Sequence, residues 1–181
     1  MDQASAFSFD MSYCGPPVDP AALWSRWNFD PALLAGLSVV LIAGFILLRQ
    51  TSDQRRMAFS ASWLLALVLY VSPLCALTVS LFSARVGHHV LLTMGVAPLL
   101  AMAFPASVGG RLSLLPPLAL STAALWLWHS PDLYTAAFRS PSIYWVMQLT
   151  LLGTFTLLWL ALLRATTPLQ AGLAALLSAT Q

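Results

Sequence analysis

Between residues 31 and 163 the chain alternates long apolar runs with short polar breaks. Crossing a hydrocarbon core of about 30 Å takes about 20 apolar residues in a helix. By that measure five full spans are expected, near 31–48, 57–81, 87–104, 112–128 and 143–163. The first has a clear start: Asp30 is placed to cap the helix, and Pro31 sits at its first position, where the missing N–H costs nothing. Thr167 and Pro168 open a sixth helical pattern over 168–181, but this rises only about 21 Å at 1.5 Å per residue, too short to cross. The predicted fold is an all-α polytopic transmembrane helix bundle of five full spans plus a partial sixth. The pattern stops inside that helix, as expected of a truncated product or the front portion of a larger bundle.

Residues 1–30 read differently. They lack a positively charged start followed by an apolar core, so they are not a signal peptide. They form a polar tail with Asp2, Asp10, Asp19 and Asp30 against Arg26, and Trp24 and Trp27 fall where interfacial aromatics belong. The expected organisation is this tail followed by a single transmembrane domain over 31–181. Arg49, Arg55, Arg56, Arg111 and Arg164 fall on one side of the five-span arrangement, and Arg26, Arg85 and Arg139 on the other. Positive residues in short loops stay cytoplasmic, so the N-terminus is expected outside.

Composition agrees. Of 181 residues 59% are hydrophobic and 8% charged, against roughly 25% charged in a soluble domain. So few charges cannot cover a soluble surface, and the apolar content excludes a disordered chain. A net charge of +2 offers no basic stripe for nucleic acid, and two cysteines make no disulfide framework.

The expected span interiors contain no Asp, Glu, Lys or Arg, which argues against a proton-coupled pump. Chemistry is left to His, Cys, Met, Tyr and Trp. His88 and His89 open span three, His129 closes span four, and Tyr144, Met147 and Gln148 open span five. Cys75 lies two turns inside span two, and Cys14 lies in the tail. All of these fall on the non-cytoplasmic side. Imidazole, thiolate and thioether form a soft donor set suited to Cu(I). Each also has a plainer reading. Histidines at helix ends serve as interfacial groups, Cys75 fills space beside a Pro73 kink, and Met94 and Met147 pack. His88 and His89 project about 100° apart on a helix, so at most one is expected to be a core ligand; His89 shares its face with Arg85, Thr93 and Val96. In the segment Trp126-Leu127-Trp128-His129-Ser130-Pro131-Asp132-Leu133-Tyr134, Pro131 ends the helix and Asp132 is close enough to orient His129 as a carboxylate behind a metal-binding imidazole. Pro73, Pro98 and the Pro116-Pro117 pair interrupt three spans, suggesting bent helices around a cavity. With neither a nucleophile–base pair nor a cofactor fingerprint, the chain is not expected to be an enzyme.

Tyr13-Cys14-Gly15, Trp27-Asn28-Phe29-Asp30-Pro31, His88-His89-Val90-Leu91-Leu92, Ala97-Pro98-Leu99-Leu100 and Trp126-Leu127-Trp128-His129 with Pro131 and Leu133-Tyr134 follow in an order that resembles the multi-span CtaG family of bacterial cytochrome c oxidase assembly factors. The resemblance implies a multi-pass protein of the bacterial inner membrane that assists maturation of a haem-copper oxidase of the respiratory chain, handling copper, with oxidase subunits or assembly intermediates as partners. Members are longer, with further spans. They carry a His-x-x-x-His pair at the start of the third helix and another before the fifth. Here Arg85 precedes His89 in the first pair, and Tyr144 and Gln148 occupy the second, so His89 and His129 are the ligands the resemblance carries over best. His88, Cys14, Cys75 and Met147 are further candidates, with Asp132 behind His129. Two alternatives stay open: a haem ligated between His89 and His129, and a structural accessory subunit packing through small residues such as Ala32, Gly36, Ala43 and Gly44.

Overall fold

A computed structural model describes residues 12–105, 108, 113–164 and 172. Among them the chain is helical throughout: a 3-10 turn Pro20–Ser25, then α1 Pro31–Leu48, α2 Asp53–Val71, α3 Leu74–Ser80, α4 Phe82–Leu91, a π turn Leu92–Val96, α5 Ala97–Ala103, α6 Leu115–Trp128, α7 Pro131–Arg139 and α8 Pro141–Leu163. The predicted partial span 168–181 lies outside the described residues, apart from Gly172.

α1 starts as its sequence dictates, with the Asp30 carboxylate accepting from the Ala32 N–H at 2.9 Å and Pro31 at the first position. It is apolar on all sides, and only Leu33, Gly44 and Leu48 are buried, as suits a helix surrounded by lipid. Gly44 marks its closest approach to the bundle: a Cβ there would overlap the Phe59 ring of α2, whereas one at Gly36 would meet open space. Of the small residues expected to face a partner, Gly44 is therefore used inside the chain. Gly44→Leu should push α1 off α2 at a cost of about 1–3 kcal/mol, read as a lower thermal midpoint in nanodiscs. Gly36→Leu should leave that midpoint unchanged.

The five-span count is not reproduced among the described residues. Three helices are long and apolar enough to cross: Pro31–Leu48, Phe82–Ala103 and Pro141–Leu163. A fourth results if α2 and α3 form one span broken by a 50° bend. That break falls at Ser72-Pro73, where proline cannot continue the hydrogen-bond ladder, so the expected continuous span 57–81 is two helices. The expected span 112–128 is an apolar helix of 14 residues, Leu115–Trp128, about 21 Å long. Pro116 and Pro117 lie in its first turn and start it rather than interrupt it.

The third span begins earlier than expected, at Phe82 instead of 87, which places Arg85 within it. Its middle is a π turn, closed by the Ala97 N–H on the Leu92 carbonyl, immediately before Pro98. The loosened carbonyls find donors on neighbouring helices. Trp159 Nε1 donates to the Thr93 carbonyl at 2.9 Å, and Ser62 Oγ to the Val96 carbonyl at 3.0 Å. Leu69, Leu92, Leu151 and Leu158 form the tightest part of the core around this turn. At the far end of the bundle, Arg164 follows α8 and donates to the Pro105 carbonyl at 2.9 Å.

Candidate functional site

Three local events build the site. The Pro73 bend carries α3 across the end of α2, and the extended Leu81 lets the chain turn into α4, which ends with His88 and His89. α6 ends at Trp128, leaving His129 at its C-cap. Pro131, expected only to stop that helix, also opens a new one, α7, which the sequence reading missed.

The result is a row of imidazoles. The His88 and His89 ring centroids are 6.2 Å apart, as are those of His89 and His129, and the Tyr70 ring lies edge-on to His88 at 5.3 Å. His88 is buried at 2% exposure, His89 is partly buried and His129 exposed, so the row runs from the core to the surface. The two adjacent histidines do diverge, yet both line one small cavity of about 30 Å³. That is room for an ion or a water or two. Arg85, His89, Tyr144 and Gln148, the positions that correspond to the two expected histidine pairs, all line this same cavity, together with Met147. His89 and His129 also face a cleft of about 280 Å³ that includes Met94, Tyr134 and Phe155. His89, with Arg85 and Tyr134, thus forms the wall between the two spaces.

His88 has a distinctive chemistry. Neither ring nitrogen has a hydrogen-bond partner, although the residue is buried. Such orphaned polar groups cost about 1–3 kcal/mol each and call for an explanation, a missing ligand among them. A neutral imidazole offers one lone-pair nitrogen, and at the wall of an ion-sized cavity that nitrogen suits a soft metal. Replacing His88 with Leu should therefore raise the thermal midpoint of the metal-free protein, measurable by differential scanning fluorimetry. A lower midpoint would mean that the ring is held by contacts beyond its apolar packing.

His129 is oriented, but not by Asp132. Its Nδ1 donates to the Leu125 carbonyl at 2.7 Å, which leaves Nε2 as the free acceptor. Leu125 lies one turn back, and its carbonyl, which also accepts from the His129 N–H at 3.1 Å, has a second lone pair for the ring, while Asp132 is exposed in the first turn of α7.

Arg85 corrects the expectation of charge-free spans. Its Nε donates to the Thr78 carbonyl at 3.0 Å, Nη1 donates to the Tyr134 hydroxyl, and the guanidinium lies 4.2 Å from the Phe138 ring centroid. One side chain thereby ties the end of α3 to α7 beside His89. Tyr134 belongs to the segment the sequence marked, but its role as partner of Arg85 and the whole of Phe138's contribution were missed, because the contact spans 49 residues.

Cys14 and Cys75, expected as thiol ligands, are bonded to each other across 61 residues. Joined in this way they offer no thiolate. Tyr13 beside them donates to the Asp30 carboxylate at 2.8 Å and stacks on Tyr144 at 5.0 Å. Burial, then the bond to Asp30, pushes its hydroxyl up to about 12, so it remains a donor throughout the physiological range. Among the described residues no group of three or more His, Cys, Asp or Glu converges on one point. The histidines form a file rather than a closed cage.

Fold and site together define a polytopic helical membrane protein with an imidazole-lined recess at one end. Residues 39–113 match the family model of the cytochrome c oxidase caa3 assembly factors, Caa3_CtaG, the family the sequence resembles. The matched segment runs from α1 past α5 and contains Cys75, Arg85, His88 and His89; Cys14, His129 and Met147 lie outside it. No curated protein and no solved structure gives a match.

Proposed function

We propose that this chain is a non-catalytic membrane factor for cytochrome c oxidase assembly that holds Cu(I) at the non-cytoplasmic face of the bacterial inner membrane and releases it toward the oxidase or its assembly intermediates. The observation that carries this reading is the file of His88, His89 and His129, spaced 6.2 Å from ring to ring from a buried cavity to the surface. His89 is the central ligand, His88 the inner one and His129 the outer one, with Met147 as a thioether at the inner cavity. Neutral imidazole and thioether suit a soft monovalent ion, and incomplete coordination suits an ion that must leave again. The arginines Arg49, Arg55, Arg56 and Arg164 favour placing the opposite end, and not the histidines, in the cytoplasm.

The size of the inner end of the recess favours an ion over haem. The inner cavity at His88 and His89, about 30 Å³, has room for an ion and none for a macrocycle. The test is deletion of the gene, complementation with wild type or with His89→Ala/His129→Ala, and a count of copper and haem in the terminal oxidase. Oxidase lacking copper but retaining haem in both the deletion and the variant supports the reading. Full copper with the variant would leave only an accessory structural role, and loss of copper and haem together would point the same way.

A further inference from the structure

The disulfide lies at the wall of the histidine cavity. Cys14 lines that cavity with His88, His89, Tyr144 and Met147, and Cys75 packs behind it at 1% exposure. A turn closed by the Gly15 N–H on the Ser12 carbonyl at 2.9 Å turns Cys14 inward. Gly15 has φ +84°, and a Cβ there would strike the Arg26 guanidinium, which accounts for glycine after Cys14. Beyond the covalent bond, residues 12–19 are held by polar and ring contacts, including Tyr13 on Asp30 and Tyr144, and the Val18 N–H on Ser80 Oγ at 2.8 Å. The bond thus fastens a short polar strap across the inner cavity.

We infer that the Cys14–Cys75 disulfide is a redox clasp on this cavity, opened by a dithiol reductant to free the strap and present a two-thiolate Cu(I) site beside His88 and His89. The inference rests on the copper reading above and names what regulates that site. In the first step a thiolate of the reductant attacks Cys14 Sγ, the more exposed sulfur, forming a mixed disulfide and releasing the Cys75 thiolate. The reductant's second thiolate then attacks its own sulfur in that mixed disulfide and releases the Cys14 thiolate. Two electrons pass to the protein, the reductant leaves as its disulfide, and its two protons end on the cysteines or in solvent. The Cys14 and Cys75 Cα atoms are 5.4 Å apart, so both sulfurs can reach one ion without moving the backbone. Binding Cu(I) then displaces the thiol protons. A staple that served only stability would have no reason to line the cavity, and opening it would leave copper affinity unchanged.

The test uses the wild-type protein in lipid nanodiscs under anaerobic conditions. One sample is treated with dithiothreitol and desalted, another is left oxidised, and both are titrated with Cu(I) against bicinchoninate. The expected result is two maleimide-reactive thiols per chain after treatment, Cu(I) affinity at least tenfold higher than in the oxidised sample, two more sulfur neighbours in copper X-ray absorption than in that sample, and reversal on reoxidation. The clasp is overturned if dithiothreitol exposes no thiols in the folded protein, or if the reduced protein binds with unchanged affinity and no sulfur neighbours beyond those of the oxidised sample. Should the oxidised protein bind Cu(I) in a His89-dependent way while reduction changes nothing, the clasp fails and the histidine reading stands. Should reduced protein bind through sulfur with His89→Ala indistinguishable from wild type, the clasp stands and the histidine reading fails. Should neither form bind Cu(I), both fail.

Discussion

His89→Ala is expected to lower Cu(I) affinity by at least about 100-fold, more than either His88→Ala or His129→Ala. Loss of a residue that merely orients a ligand already costs about 10–100-fold, and His89 is the one imidazole among the three that borders both the inner cavity and the outer cleft. Its removal interrupts the imidazole file in the middle, whereas loss of His129 removes an exposed terminus and loss of His88 an inner one. The effect on folding should be small. His89 is only partly buried, and its neighbours in α4 and the π turn are held by other helices. A chelator competition run beside a thermal melt separates the two quantities. Equal losses from all three variants would mean that the rings act as one site rather than as a path.

The second large effect is on stability. Arg85→Ala should destabilise the folded protein by about 3 kcal/mol, since hydrogen bonds from a charged group contribute about 1.5–3 kcal/mol and the buried carbonyl left behind loses its donor. For a chain of this length that is a fall in thermal midpoint of roughly 6–12 °C. Arg85→Lys should recover less than half. An ammonium does not reproduce the planar fork that reaches Thr78 and Tyr134 while stacking on Phe138. Copper binding should move the other way. Arg85 places a fixed positive charge beside His89, so in whatever fraction of Arg85→Ala remains folded, Cu(I) affinity per site should rise. If stability holds in Arg85→Ala, the arginine does not anchor α3 to α7 as described.

How much of this could be read from the chain alone depended on range. α1 and α8 were legible because their signals are local: Asp30-Pro31 for the first, and an apolar run ending at Arg164 for the second. α7 was not, since a proline after a histidine ends one helix and begins another with the same residue, and only the following amphipathic turns tell the two apart. The π turn at Leu92–Val96 has no sequence signature beyond the Pro98 that follows it; what sustains it are donors from Ser62 and Trp159, distant in the chain. At the site, the gathering of His88, His89 and His129 at one end followed from counting spans. The partner of His129 was misassigned because proximity in sequence favoured Asp132, while the helix end offered a carbonyl in the right direction. The pairing of Cys14 with Cys75 is a contact across 61 residues, which composition and spacing cannot specify.

The imidazole file should bind one copper ion. Purified protein in nanodiscs, titrated with Cu(I) against bicinchoninate alongside the triple variant His88→Ala/His89→Ala/His129→Ala, tests it directly. One Cu(I) should be retained per oxidised chain, with nitrogen neighbours in X-ray absorption, and none by the variant. Retention by the variant equal to wild type, or none by either protein, would contradict it.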